Sequence, residues 1–112
     1  MYKAIYHTLK QVARAREIIY YGDIAPLVGV NLNTGRGRRE IGRILAAVCE
    51  SEARQGHPLL GSVVVRKDTN VPGKGYFAGA RRLGKLSGET REEELLFWGR
   101  ELERVHAHWS SQ

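Results

Sequence analysis

Residues 38–55 read RREIGRILAAVCESEARQ. Ile41, Ile44, Leu45, Val48 and Cys49 fall at i, i+3, i+4, i+7 and i+8, which predicts a helix with one buried stripe, stopped by Gly56. At about 100° per residue, Arg36, Arg39 and Arg43 follow one another at i, i+3 and i+7 on the face opposite Ile41. Arg38 stands beside them at the amino-terminal end, where the helix dipole and free backbone N–H groups also favour a phosphate. An Arg-rich helix face is most often simply solvated. What makes this one a candidate for nucleic acid is its place in the order of elements.

Upstream, Tyr2, Ile5, Leu9, Val12 and Ala13 recur at helical spacing over residues 2–15, with Lys3, Lys10 and Arg14 on other faces. The β-branched and aromatic run Ile18, Ile19, Tyr20 predicts a short strand. It leads into a short helix over residues 21–29, in which Pro26 fits only in a first turn and Gly29 supplies the end. Residues 31–37 read as a polar loop. Downstream, the apolar run over residues 59–65 predicts a strand that surfaces at Arg66, Lys67 and Asp68. A turn over residues 70–75, closed by Tyr76 and Phe77, makes a wing-like hairpin or loop, and a short helix follows near Ala78 to Leu83. After a polar break, Leu95, Trp98, Leu102, Val105 and Trp109 mark a final helix. Two helices joined at a turn and followed by a strand and a wing predict a mostly α fold with a small β wing. This is a winged helix-turn-helix with an added C-terminal helix, whose second helix is offered to DNA. One domain is expected over residues 1–112, a basic core at 1–84 and a C-terminal helical extension at 85–112.

The chain of 112 residues carries 18 Lys and Arg against 12 Asp and Glu, a net charge of +6. Residues 1–88 hold 15 basic and 6 acidic side chains, whereas residues 89–112 hold 3 and 6. The excess therefore belongs to the folded body and points to a polyanionic partner. No apolar run approaches the roughly 18 residues needed to span a bilayer, and the amino-terminal segment does not resemble a secretory signal, so a cytoplasmic location is expected. With one cysteine no intrachain disulfide can form, and His7, His57, His106 and His108 lack ligand spacing; neither metal nor cofactor is expected.

Catalytic readings are weak. Cys49 falls on the apolar stripe, where cysteine behaves as a small hydrophobe. The stretch Pro72-Gly73-Lys74-Gly75 lacks the spacing of a phosphate-binding P-loop. Asp68 with Glu40 or Glu50 has no fixed spacing for a nuclease metal site. Arg66, Lys67 and Lys74 flank the wing and are candidate phosphate contacts. Trp98 and Trp109 belong to the helical repeat and therefore to core or to a partner interface.

Two short motifs resemble a known family. Ile19-Tyr20-Tyr21-Gly22-Asp23-Ile24-Ala25 matches the segment that opens the first helix of the pair, and Arg39-Glu40-Ile41-Gly42 matches the recognition-helix segment, in the DNA-binding domain of the alkylguanine-DNA alkyltransferases and the alkyltransferase-like proteins. The resemblance covers residues 17–83. It implies that Tyr21 crowds a DNA phosphate during nucleotide flipping, that Arg39 enters the base stack, and that Gly42 lies where the helix approaches DNA. Pro58-Leu59-Leu60 matches the apolar stretch before the active-site strand. The positions of the alkyl-accepting cysteine and its activating histidine then fall on Val63 and Val64, which implies no alkyl transfer.

The expected function is therefore non-catalytic binding of nucleic acid, duplex DNA first, through Tyr21, Arg36, Arg38, Arg39, Arg43, Arg66, Lys67 and Lys74. The alternative is a winged-helix adaptor or subunit of a larger nucleic-acid-processing complex. That reading has a protein partner or second copy on Leu95, Trp98, Leu102, Val105 and Trp109. No membrane partner is expected.

Overall fold

Ile5, Leu9 and Ala13, spaced by four, form the buried edge of the first helix, α1 (Lys3–Arg14). The computed structural model describes residues 3–112, so Tyr2, read as the start of that stripe, lies outside the described residues. Strand β1 (Ile19–Tyr20) follows, then α2 (Tyr21–Ile24) and a 3₁₀ turn (Ala25–Val28). Pro26 does sit in the first turn, where its missing N–H costs nothing, and Gly29 ends the element at φ 67°. The long helix α3 (Gly35–Arg54) starts earlier than its apolar stripe because the Thr34 hydroxyl accepts the Gly37 N–H at 2.9 Å. Arg36 thus belongs to its first turn.

Residues 59–65 depart from the expected strand. Leu60–Val63 winds a second 3₁₀ turn, and only β2 (Val64–Val65) is extended. The partner decides this: β1 offers two residues, so the parallel ladder stops at Ile19↔Val64 and Tyr20↔Val65. The remaining backbone of this fully buried segment must be satisfied otherwise. The Ser62 N–H donates to the Leu59 carbonyl at 3.0 Å and the Val64 N–H to the Gly61 carbonyl, while two side chains from the final helix meet the Leu59 N–H and the Ser62 carbonyl.

The segment expected as a wing-like hairpin or loop forms a loop. β2 pairs only with β1 among the described residues. Residues 66–73 close on themselves through Arg66 N–H to the Val71 carbonyl at 2.9 Å and Asn70 N–H to the Arg66 carbonyl at 2.7 Å. Helix α4 (Lys74–Arg82) begins directly after, so Lys74, Tyr76 and Phe77 are helical residues and do not close a wing.

Helix α5 (Arg91–Ser110) opens on a capping box in which Thr90 and Glu93 satisfy each other's backbone N–H groups. Its Val105 and Trp109 join Ile5, Leu9, Ile44 and Val63 in one apolar cluster. Phe77, Leu59 and Leu86 form a second cluster, against which Trp98 and Phe97 pack. The expected partner face is thereby largely consumed. Val105 and Trp109 are buried, Trp98 and Leu102 are half-buried against the core, and of the five residues only Leu95 is exposed.

The stripe Trp98, Glu101, Val105, Trp109 carries one charge into the interior. Glu101 is 1% exposed, and its Oε2 accepts the Leu59 N–H at 2.8 Å and the Lys85 ammonium at 2.6 Å. Trp98 Nε1–H donates to the Ser62 carbonyl at 2.9 Å. Removing the carboxylate orphans a buried N–H and a half-buried cation together. Glu101→Ala is expected to lose about 3 kcal/mol, read as a lower urea midpoint at unchanged slope.

Candidate nucleic-acid interface

The turn that replaces the expected strand forms the floor of a groove. Gly61 is required there by close approach, since a Cβ at this position would meet Cys49 Sγ at 2.7 Å. α3 can therefore lie directly against the turn. Next to it, Ser62 Oγ and Tyr76 Oη stand 2.6 Å apart, joining the turn to α4. On the opposite wall, Tyr21 Oη accepts the Gly73 N–H at 3.0 Å and fixes where the loop after β2 meets α4. The space enclosed is about 900 Å³.

Its walls come from α2, α3, the 66–73 loop and α4. Leu59, Gly61, Leu45, Cys49 and Ala80 make an apolar interior, while Arg38, Arg39, Arg66, Lys67, Lys74 and Arg82 supply six cations against the three carboxylates Asp23, Glu50 and Asp68. Two of those carboxylates are already engaged. Asp68 is held by Arg66 through two hydrogen bonds of 2.9 and 2.8 Å, and Glu50 by Arg54. The Arg66 guanidinium, by hydrogen bond and charge, holds the Asp68 carboxyl below its ordinary range. Arg39, Lys67, Lys74 and Arg82 are exposed and form no ion pair among the described residues.

The structure thus brings together Tyr21, Arg38, Arg39, Arg66, Lys67 and Lys74 from the residues singled out by sequence. Arg36 and Arg43 continue the exposed face of α3 outside the groove, Arg43 in an ion pair with Glu40. Arg38 donates to the Leu32 carbonyl at 3.0 Å, so it also holds the loop before its own helix. Val63 and Val64, on which the resemblance placed the alkyl-accepting and activating positions, are fully buried and do not line the groove; Leu59 and Gly61 are the residues of this segment that do.

Sequence reasoning missed Arg82, whose relation to the α3 cations exists only once α3 and α4 pack, and it missed the Ser62–Tyr76 pair, which no spacing reveals. Glu101 did carry a signal, since it occupies a position of the α5 apolar stripe.

Burial pushes the Cys49 thiol up to about 12, so at neutral pH it is a protonated core group and not a thiolate. Burial also raises the Tyr76 phenol above its ordinary 10.0, the Ser62 hydrogen bond opposing this only in part. Between pH 9 and 12 the folded chain keeps protons that the unfolded chain has released, so stability falls as pH rises. The expected loss begins near pH 9 for Cys49 and near pH 10 for Tyr76, at up to about 1.4 kcal/mol per pH unit for each group. Denaturant titrations at pH 8 and pH 10.5 check this: Cys49→Ala is expected to flatten the fall, and equal slopes for variant and wild type would remove Cys49 as its source.

No protein-family model, curated protein or solved structure matches the chain.

Proposed function

We propose that the chain is a non-catalytic nucleic-acid-binding protein, a winged-helix-like module that holds duplex DNA on α3 and the rim of the groove beside it. The observation that carries this reading is the convergence of six exposed cations from three separate elements on one groove, five of them without an ion pair among the described residues. Surface cations dispersed for solubility have no reason to converge in this way, whereas a phosphate backbone binds through such rims. In this reading α2 with its 3₁₀ turn and α3 form the helical pair, and the 66–73 loop stands where a wing stands. Arg38 and Arg39 face the groove and backbone, Arg36 and Arg43 extend the contact along α3, and Lys67, Lys74 and Arg82 meet phosphates from the far wall.

The motif resemblance to the alkyltransferase-like proteins supports the same face, since it places Tyr21 and Arg39 against DNA. Tyr21 has a free hydroxyl hydrogen to donate, because its oxygen accepts from Gly73. The adaptor reading loses support from the burial of Val105 and Trp109. No helix among the described residues is long and apolar enough to cross a membrane.

Fluorescence anisotropy with a labelled duplex, plain or alkyl-lesioned, across a salt series tests the reading. Each neutralised phosphate contributes about −0.9 to the slope of log K against log salt. Arg39→Ala and Arg82→Ala are each expected to weaken binding about tenfold and to reduce the slope by about one. Arg14→Ala, exposed on α1 and outside the groove, is the control expected to change little. A slope near zero, or a Kd weaker than about 100 μM at low salt, overturns the proposal.

A further inference from the structure

Away from the groove, α3 ends on a buried carboxylate. Glu52 is fully buried, yet it forms no ion pair with a lysine or arginine among the described residues. Its partners are Tyr6, whose hydroxyl donates to Oε2 at 3.2 Å, and His57, whose Nδ1 stands 3.3 Å from Oε1. A carboxylate facing Nδ1 selects the tautomer that carries its hydrogen there, and leaves the Nε2 lone pair unclaimed. The His57 side chain is 26% exposed, so that nitrogen belongs to a ring with access to solvent. The second imidazole comes from the last turn of α5. His108 places its ring centre 4.5 Å from that of His57, and neither of its ring nitrogens has a hydrogen-bond partner among the described residues. Trp109 packs edge-on against both rings and holds them side by side.

We infer that His57 and His108 form a binding site for a divalent late transition metal ion of the zinc, nickel or copper class. Glu52 orients His57 from behind and water completes the coordination. The chemistry follows from the parts. Neutral imidazole suits these ions, and a metal-binding histidine characteristically donates its other ring N–H to a carboxylate. Two imidazoles bound through nitrogen at about 2.0–2.1 Å to one tetrahedral ion have ring centres about 5.2 Å apart, so the pair, with centres at 4.5 Å, closes on an ion by opening about 0.7 Å. No group of three or more His, Cys, Asp or Glu side chains able to hold a metal occurs among the described residues, so the ion has two protein ligands and open positions. Affinity is accordingly that of a chelating pair and not of a closed structural site. The sequence expectation of no metal considered the spacing of the histidines along the chain. It did not bring together one residue after α3 and one at the end of α5.

Isothermal titration with zinc and with nickel, on the whole chain freed of metal by chelator, reads the site directly. One ion per chain is expected, with His57→Ala and His108→Ala each weakening it at least tenfold. Glu52→Gln, acting through His57, is expected to weaken it about tenfold. His7→Ala and His106→Ala are expected to bind as wild type. Because Glu52→Gln alters the core, its fold is checked by circular dichroism, and His108→Gln on the half-exposed last turn of α5 provides the independent variant. No binding below 1 mM (about the weakest affinity worth a site), or binding that survives His57→Ala and His108→Gln in folded protein, overturns the inference and leaves a stacked histidine pair.

Discussion

The Glu101 carboxylate is the contact on which the rest of the molecule depends. The 3₁₀ turn at Leu60–Val63 is buried on every side, and buried backbone N–H and C=O groups without partners are costly. Neither strand is long enough to satisfy them, so α5 does, with Glu101 accepting from Leu59 and Trp98 donating to Ser62. A charged acceptor inside a core is tolerable only when paired, which Lys85 accomplishes. The final helix is thereby bound to the floor of the groove by polar contacts of fixed geometry as well as by apolar packing.

From that floor the groove is built outward by constraints of the same kind. Gly61 lets α3 close on the turn, with no room for a side chain above Cys49. Ser62 and Tyr76 fix α4, and Tyr21 fixes the loop through Gly73. The cations then come from elements whose positions are already determined. None of them is used to hold the floor together, although Arg38 and Arg66 spend part of their hydrogen-bonding capacity on neighbouring loops. A rim decoupled from the core in this way leaves Arg39, Lys67, Lys74 and Arg82 available to solvent and to a ligand.

The helices were legible in the sequence because their signal is local and repeated. The α3 stripe from Ile41 to Cys49 and the α1 stripe through Ile5 and Leu9 are buried as read. The segment at residues 59–65 was not legible, because the same β-branched composition suits a strand or a buried turn. The length of β1, a distant element, decided between them. On α5, Val105 and Trp109 are buried as the periodicity predicts, whereas Leu95 is exposed and Glu101 takes a buried place, and periodicity cannot say whether such a face meets the chain's own core or another molecule. At the groove, the cations on α3 and the loop could be recognised from clustering in sequence. Arg82 could not, because its relation to Arg39 exists only once α3 and α4 have packed.

The uneven charge along the chain acquires a physical meaning from this architecture. None of the side chains of α5 lines the groove, so the acidic first turn, Glu92, Glu93 and Glu94, lies off the cationic rim. Those acids favour the positive end of their own helix dipole, and Glu93 closes the capping box. The charges that start α5 therefore serve its own cap and, through Glu94, pair with Arg81 and Arg91, and none of them enters the groove. At about 8 Å of screening length in physiological salt, a polyanion approaching the groove meets the rim charges first. The segregation of basic body from acidic end is thus a consequence of how α5 is capped and docked, and it gives the molecule one electrostatically distinct face.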